Sequence, residues 1–172
     1  MHCGGAGVEE YLIPSLVKSK IILTNGRILQ GPEVSDHAIA LLLSITRNIA
    51  PYLKGIEKTK LSRPIELKDK QCLIFGLGGI GTLIAEKLKA FGMYIVGVSL
   101  EIIPNFSFID EKYLFHDGEF KKKINSSDVV ICAAPLTNYT TKFFNKKIFN
   151  LMKKNSIFIN ISRGKLVDTN DL

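Results

Sequence analysis

The sequence has no apolar run near the roughly 18 to 20 residues that a membrane-spanning helix needs. It opens Met1-His2-Cys3-Gly4-Gly5, without the basic start and apolar core of a signal peptide. Cysteine is scarce: there are three, an odd number, with no CxxC pair. Cys72 and Cys132 sit in apolar, strand-like runs and read as reduced core thiols, which fits a reducing compartment. A cytoplasmic protein without a membrane partner is the expectation, and no metal is assigned. The balance of charge is short of acid, at +7. The lysines are spread over Lys58/Lys60, Lys121–Lys123, Lys146/Lys147 and Lys153/Lys154, and no aromatics interleave with them as in a single-strand binding groove. They read as solvated helix ends and loops. Nucleic acid is therefore not an expected partner, although a basic surface helps to attract anionic ligands. There is no internal repeat and no low-complexity segment. At 172 residues and 46% hydrophobic, the chain makes one domain, or one plus part of another, with enough apolar surface for a real core.

What the sequence does have is centred on Cys72-Leu73-Ile74-Phe75-Gly76-Leu77-Gly78-Gly79-Ile80-Gly81. A short apolar run meets glycines at the first, third and sixth positions of a GxGxxG pattern. Ile80, Ile84 and Leu88 then recur every four residues, with Leu83 beside them. This is the strand, turn and helix start of a dinucleotide site. Gly76 allows a tight turn, Gly78 lets a pyrophosphate approach the backbone, and Gly81 lets helix and strand pack closely. The free N–H groups of the first helical turn and the helix dipole favour phosphate. The plainer alternative, a close strand–helix turn with no ligand, has to be weighed because glycine clusters are common in loops.

The first 33 residues are too short to form a core alone. Gly4-Gly5-Ala6-Gly7 reads as a loop, Val8 to Val17 as a short helix stopped or bent near Pro14, Ile21-Ile22-Leu23 as a strand, and Thr24-Asn25-Gly26 as a turn. From Val34 to about Tyr52 a long helix is expected. Ala38, Leu41, Leu42, Ile45 and Ile49 share one stripe, and Pro51 marks the end or a kink. His37, in its first turns, reads as a structural hydrogen-bonder sooner than as a catalyst. A polar connector covers 54–70.

The glycine-motif helix stops at Phe91-Gly92, and Tyr94 to Val98 is a second strand, closing a right-handed βαβ unit with parallel strands. Dinucleotide sites usually place an acid at the end of this strand, for the adenosine ribose. Here Ser99 holds that position and Glu101 comes two residues late. No Arg follows to hold a 2′-phosphate, so NAD is mildly preferred and NADP stays open. Residues 101–116 read as irregular and Asp117 to Asn125 as a short helix. Asp128 to Ala134 is a strand that runs into Pro135-Leu136-Thr137-Asn138. Asn145 caps a helix reaching Met152, and Ser156 to Ile161 is a strand ending at Ser162-Arg163-Gly164. Loops at the carboxyl ends of parallel strands are where such sheets bind ligands.

Taken together, several segments resemble the D-isomer-specific 2-hydroxyacid dehydrogenases. They are Val34-Ser35-Asp36-His37-Ala38 with Thr46-Arg47-Asn48, Phe75 to Gly81, Lys89 to Met93, Ala134 to Thr140, Met152-Lys153-Lys154, and Asn160 to Asp168. The likeness spans nearly the whole chain. It implies an α/β fold: a doubly wound, parallel-sheet Rossmann-type NAD(P)-binding domain over 34–172, with a remnant of a substrate domain at 1–33. It implies cofactor contacts at Gly76, Gly78, Gly79, Ile80, Gly81, Ser99, Pro135, Thr140, Ile161 and Arg163. The backbone at Ala6 and Gly7 would grip a substrate carboxylate. Arg163 matches the catalytic arginine, whose planar fork suits a carboxylate beside a carbonyl and the charge that grows on the carbonyl oxygen. A surface Arg capping a turn is the alternative. The resemblance also implies a small 2-keto or 2-hydroxy acid as substrate and a homodimer through the helix at 34–52.

One part of the pattern is missing. The family places a glutamate and a proton-donating histidine downstream of the arginine, and the nine residues after Arg163 contain neither. His2, His37 and His116 do not match that position. The expectation is an incomplete copy of a dehydrogenase, slow or inactive alone, with a sheet edge prone to self-association. The competing expectation is a non-catalytic NAD(H)-binding regulatory module.

Overall fold

Aliphatic runs too short for helices and bounded by turn residues become strands, and runs with apolar residues every three or four become helices. In the computed structural model, which describes residues 1–26 and 29–172, the elements run in this order: β1 (His2–Cys3), α1 (Pro14–Val17), β2 (Thr24–Asn25), α2 (Gly31–Thr46), α3 (Ile49–Leu53), β3 (Gln71–Phe75), α4 (Gly79–Ala90), β4 (Tyr94–Ser99), β5 (Glu111–Leu114), α5 (Lys121–Ile124), β6 (Val129–Cys132), α6 (Lys146–Phe149) and β7 (Ile157–Asn160). Arg27 and Ile28, part of the expected 1–33 segment, lie outside the described residues.

Strands β3 to β7 form one parallel sheet in the order β5-β4-β3-β6-β7. Side chains alternate between its faces. Cys72, Ile74, Ile95, Ile131 and Ile159 pack under α2 and α4 with Ala38, Leu42, Ile84 and Leu88. Leu73, Phe75, Val96, Val98, Val130 and Cys132 face the other way, onto Phe120, Ile124, Phe144, Ile148 and Leu166. Both faces are covered, which is why these strands read as continuous apolar runs. The second face is rich in aromatics, with Phe75 stacked on Phe143 at 4.6 Å and edge-on to Phe144 at 5.2 Å. The doubly wound, Rossmann-type α/β fold expected from the sequence is the one observed. On the first face α2 and α4 are also tied by Lys87, whose Nζ donates to Asp36 at 2.5 Å and to the fully buried Ser35 hydroxyl at 2.6 Å.

Several boundaries differ from the sequence reading. The long helix is two helices, broken at Asn48 and not at Pro51. Asn48 has a φ of 57°. Its amide donates to the Ser62 carbonyl at 2.7 Å and its oxygen accepts from the Ser62 hydroxyl at 3.0 Å. This tertiary clamp offsets the left-handed backbone, while Pro51 sits in the first turn of α3, where an N–H is not needed. The helix also begins earlier, at Gly31, with Pro32 in its first turn. Val8 to Val17 is not continuous: a 3-10 turn at Glu9–Tyr11 is followed by α1, and Pro14 opens α1 after holding Ile13 extended.

Ile21-Ile22-Leu23 is not a strand. The pairing falls on Thr24–Asn25, the expected turn, because its partner is the two-residue β1. Ile22 is left 79% exposed. Residues 101–116 are not wholly irregular, since β5 forms at the sheet edge. Its Glu-Lys-Tyr-Leu run carries charges where edge strands tolerate them, and this hid it. The helix expected over Asp117 to Asn125 is only the four residues of α5.

Candidate functional site

The strand order reverses between β3 and β6, so the loops leaving their carboxyl ends frame a crevice. The turn after β3 is built by its glycines. Gly76 has a φ of 108°, and a Cβ there would stand 2.5 Å from the Ala134 nitrogen in the loop after β6. A Cβ on Gly81 would stand 1.9 Å from the Gly76 carbonyl oxygen. Gly78 and Gly79 differ from these two, because a Cβ on either meets nothing within 4 Å. Open space therefore faces the start of α4, and among the described residues no side chain caps that helix. Its first N–H groups and the positive end of its dipole remain available for an anion. The shape and donor set fit a pyrophosphate.

The loop after β6 is held from within. The Thr140 hydroxyl, buried, donates to the Pro135 carbonyl at 2.7 Å and accepts from the Thr137 N–H at 2.8 Å. Ser99 ends β4, 7% exposed, and its hydroxyl donates to the Glu101 carbonyl at 2.7 Å.

The third loop follows β7. The Ile161 N–H donates to the Cys132 carbonyl at 3.2 Å. The Ser162 hydroxyl donates to the Ala134 carbonyl, and the Ser162 N–H donates to Asn160 Oδ1 at 3.0 Å. Asn160 Nδ2 in turn donates to the Arg163 carbonyl at 2.9 Å, closing the turn. Gly76, Ala134 and Ser162 thus link the three loops in series. Beside the last of them, Glu33, Val34, His37, Leu41, Asn160, Ile161 and Ser162 line an open groove of about 440 Å³. His37, read from sequence as a hydrogen-bonder, makes no hydrogen bond among the described residues.

Arg163 crosses from the sheet to the N-terminal segment. Its Nε donates to the Glu9 carboxylate and its Nη1 to the Ser162 carbonyl at 3.1 Å. Nη2 lies against Gly7: a Cβ on Gly7 would stand 1.9 Å from it. The Gly7 loop is itself fixed, since Asn25 Nδ2 donates to the Ala6 carbonyl at 2.6 Å and Cys3 Sγ reaches the Gly7 carbonyl at 3.7 Å. The Glu9 carboxyl is held below its ordinary range. Hydrogen bonding by its own backbone N–H contributes most; burial opposes it, and the hydrogen bond and charge of Arg163 add to the lowering. The structure therefore brings together Ala6, Gly7 and Arg163, although they are far apart in sequence. Glu9, Asn25, Asn160 and Ser162 were not singled out by sequence. Only Glu9 carried a signal, as an acid two residues after the glycine loop.

The model of the "D-isomer specific 2-hydroxyacid dehydrogenase, NAD binding domain" matches residues 39–172. The chain belongs to this family. It is similar to the glyoxylate reductase of Thermofilum pendens, 30% identical over 96% of the chain and 51% of that protein. It is also similar to the D-3-phosphoglycerate dehydrogenase of Methanocaldococcus jannaschii, 31% identical over 95% of the chain and 32% of that protein. Among solved structures, a glycerate dehydrogenase related protein from Thermoplasma acidophilum covers 97% of the chain at 28% identity, with a TM-score of 0.75 and 58% of its own length matched. The NADPH-dependent glyoxylate/hydroxypyruvate reductase of Sinorhizobium meliloti, solved with NADP and sulfate, covers 99% at 26% identity, with a TM-score of 0.82 and 55% of its own length matched. This 2-hydroxyacid dehydrogenase chain thus spans about half the length of the glyoxylate reductase relative. No helix among the described residues is long and apolar enough to cross a membrane.

Proposed function

We propose that this dehydrogenase chain takes part in hydride transfer between NAD(P)H and a small 2-keto or 2-hydroxy acid. The observation that carries the reading is the meeting of the Arg163 guanidinium with the Gly7 backbone, at the carboxyl end of β7 and one loop away from the glycine turn. Gly76, Gly78, Gly79, Ile80 and Gly81 hold the pyrophosphate against the start of α4. Ser99 and Glu101 lie toward the adenosine ribose. Pro135, with Thr140 pinning its loop, and Ile161 wall the cleft. The bound nicotinamide supplies or accepts the hydride. Arg163 holds the substrate carboxylate and stabilises the charge that grows on its carbonyl oxygen. Ala6 and Gly7 offer backbone to the same carboxylate.

Residues 1–33 act as substrate-side structure and 34–172 as the nucleotide domain. In support, among the described residues β1 and β2 pair only with each other and form a sheet separate from the five-stranded one. We place the protein in the cytoplasm, consistent with three buried, unpaired cysteines. It pairs with a second copy through α2 and α3, whose outer side exposes Leu41, Ile45, Ile49, Tyr52 and Leu53.

Titration with NADH and with NADPH, followed by cofactor fluorescence, tests the reading. Saturable binding that Gly78→Val removes supports it, and the tighter cofactor shows what Ser99 admits. A folded chain that binds neither cofactor refutes it. Binding in a longer protein without oxidation of NADH by glyoxylate or a related acid points to the regulatory alternative.

A further inference from the structure

Arg163 carries a long side chain with many rotamers, and roughly half of it is exposed. Such a side chain does not keep one orientation unless something holds it. Three contacts do so here. Glu9 takes the Nε–H, the Ser162 carbonyl takes an Nη1–H, and the Gly7 backbone lies against Nη2. Among the described residues nothing takes the N–H groups of Nη2. The Glu9 carboxyl is held below its ordinary range, so it accepts from Arg163 as a carboxylate. It stands on the turn that follows the Gly7 loop, so the group that would grip the substrate and the group that would orient Arg163 share one short segment. A fork loaded on its Nε side presents its Nη side, and a carboxylate beside a carbonyl needs two N–H groups aimed together.

We infer that Glu9 is a positioning residue for the reaction proposed above: it holds Arg163 by Nε against Gly7, so that the Nη side of the guanidinium faces a 2-oxo acid. The inference rests on that reading of the site. A competing role for the same contact is that Glu9 occupies the place of the substrate carboxylate and must be displaced.

The test uses the chain saturated with NADH and titrated with oxamate, an unreactive analogue that carries a carboxylate beside a carbonyl. The same titration is made on Glu9→Gln and Glu9→Asp, and NADH affinity is measured for all three. A second readout is the NMR signal of the Arg163 Nε–H, shifted and slow to exchange when it is held by a carboxylate. The expected result for Glu9→Gln is oxamate binding weaker by about tenfold, as for loss of one charged hydrogen bond. NADH affinity stays unchanged and the Nε–H signature is lost. Glu9→Asp is expected to recover part of both the affinity and the signature. Oxamate binding equal to or tighter than wild type in Glu9→Gln overturns the inference and makes Glu9 a competitor. Failure of the wild-type chain to bind oxamate while it binds NADH refutes the substrate reading itself, and the positioning role falls with it.

Discussion

Gly81 lies directly against Gly76, so that a Cβ on Gly81 would meet the Gly76 carbonyl oxygen at 1.9 Å. The contact fixes how closely α4 packs on β3, and it involves backbone that has little room to shift. Gly78 stands two residues past Gly76 with open space before it. The same motif therefore contains glycines required by packing and glycines that leave room for a ligand.

The two kinds separate by substitution. Gly81→Ala is expected to lower stability by about 1–3 kcal/mol or more, as overpacking does. At Gly78 a Cβ meets nothing within 4 Å among the described residues, so Gly78→Val is expected to cost no more than about 1 kcal/mol through the helix cap, yet it fills the approach to the α4 N-terminus. Urea unfolding of both variants, beside NADH titration, checks this. Gly78→Val should melt near wild type and not bind. Equal loss of stability in both would show that the turn is only structural.

The motif was legible in the sequence because each of its glycines serves a local geometric need. The buried strands were legible for a similar reason, since sheet faces covered on both sides demand uninterrupted apolar runs. What the sequence hid depends on contacts made from far away. Asn48 breaks the long helix because Ser62 satisfies its side chain, and nothing near Asn48 announces that partner. β5 was hidden because an edge strand needs only one apolar face. At the site, Arg163 was readable from its place after a strand. Its partner Glu9 lies 154 residues away, and only the fold brings the two together.

The thiols of Cys72 and Cys132 should be inert in the native chain. Burial pushes the Cys72 thiol far up, and it pushes Cys132 up to about 12. Thiolate is the reactive form, so neither reacts at pH 8 while folded. Ellman's reagent should label both only when the chain is unfolded in guanidinium. Rapid labelling of either in the native state would mean that the sheet opens readily.

The exposed stripe on α2 and α3 predicts concentration-dependent self-association. Ile45 is 50% exposed and Leu53 80%, on adjacent helices. Burying such side chains against a second copy is worth about 1.5–3 kcal/mol each. Ile45→Glu with Leu53→Glu should shift the chain to monomer by sedimentation velocity, with circular dichroism unchanged because neither side chain is in the core. A wild-type chain that stays monomeric at high concentration would rule out this face as an interface.

Asp128 gives the chain a defined acid sensitivity. Its carboxylate accepts from the Gln71 N–H at 3.0 Å, at the start of β3, and from Lys153 Nζ at 2.6 Å. Burial raises its pKa, but the Lys153 hydrogen bond and the Gln71 N–H together outweigh this, so the net value lies below the ordinary 3.8. A carboxyl depressed in the folded state stabilises at pH above its unfolded value and loses that contribution as pH falls through the folded one. Asp128→Asn keeps an acceptor for Gln71 and loses the ion pair, so at pH 7 it should cost about 1 kcal/mol, discounted for the half-exposed lysine. Thermal melts of wild type and variant should differ at pH 5 to 7 and converge as the pH falls below 3.8 and on through the folded value, where the wild-type carboxyl takes up its proton. A gap that persists unchanged into acid would assign the cost to packing and not to charge.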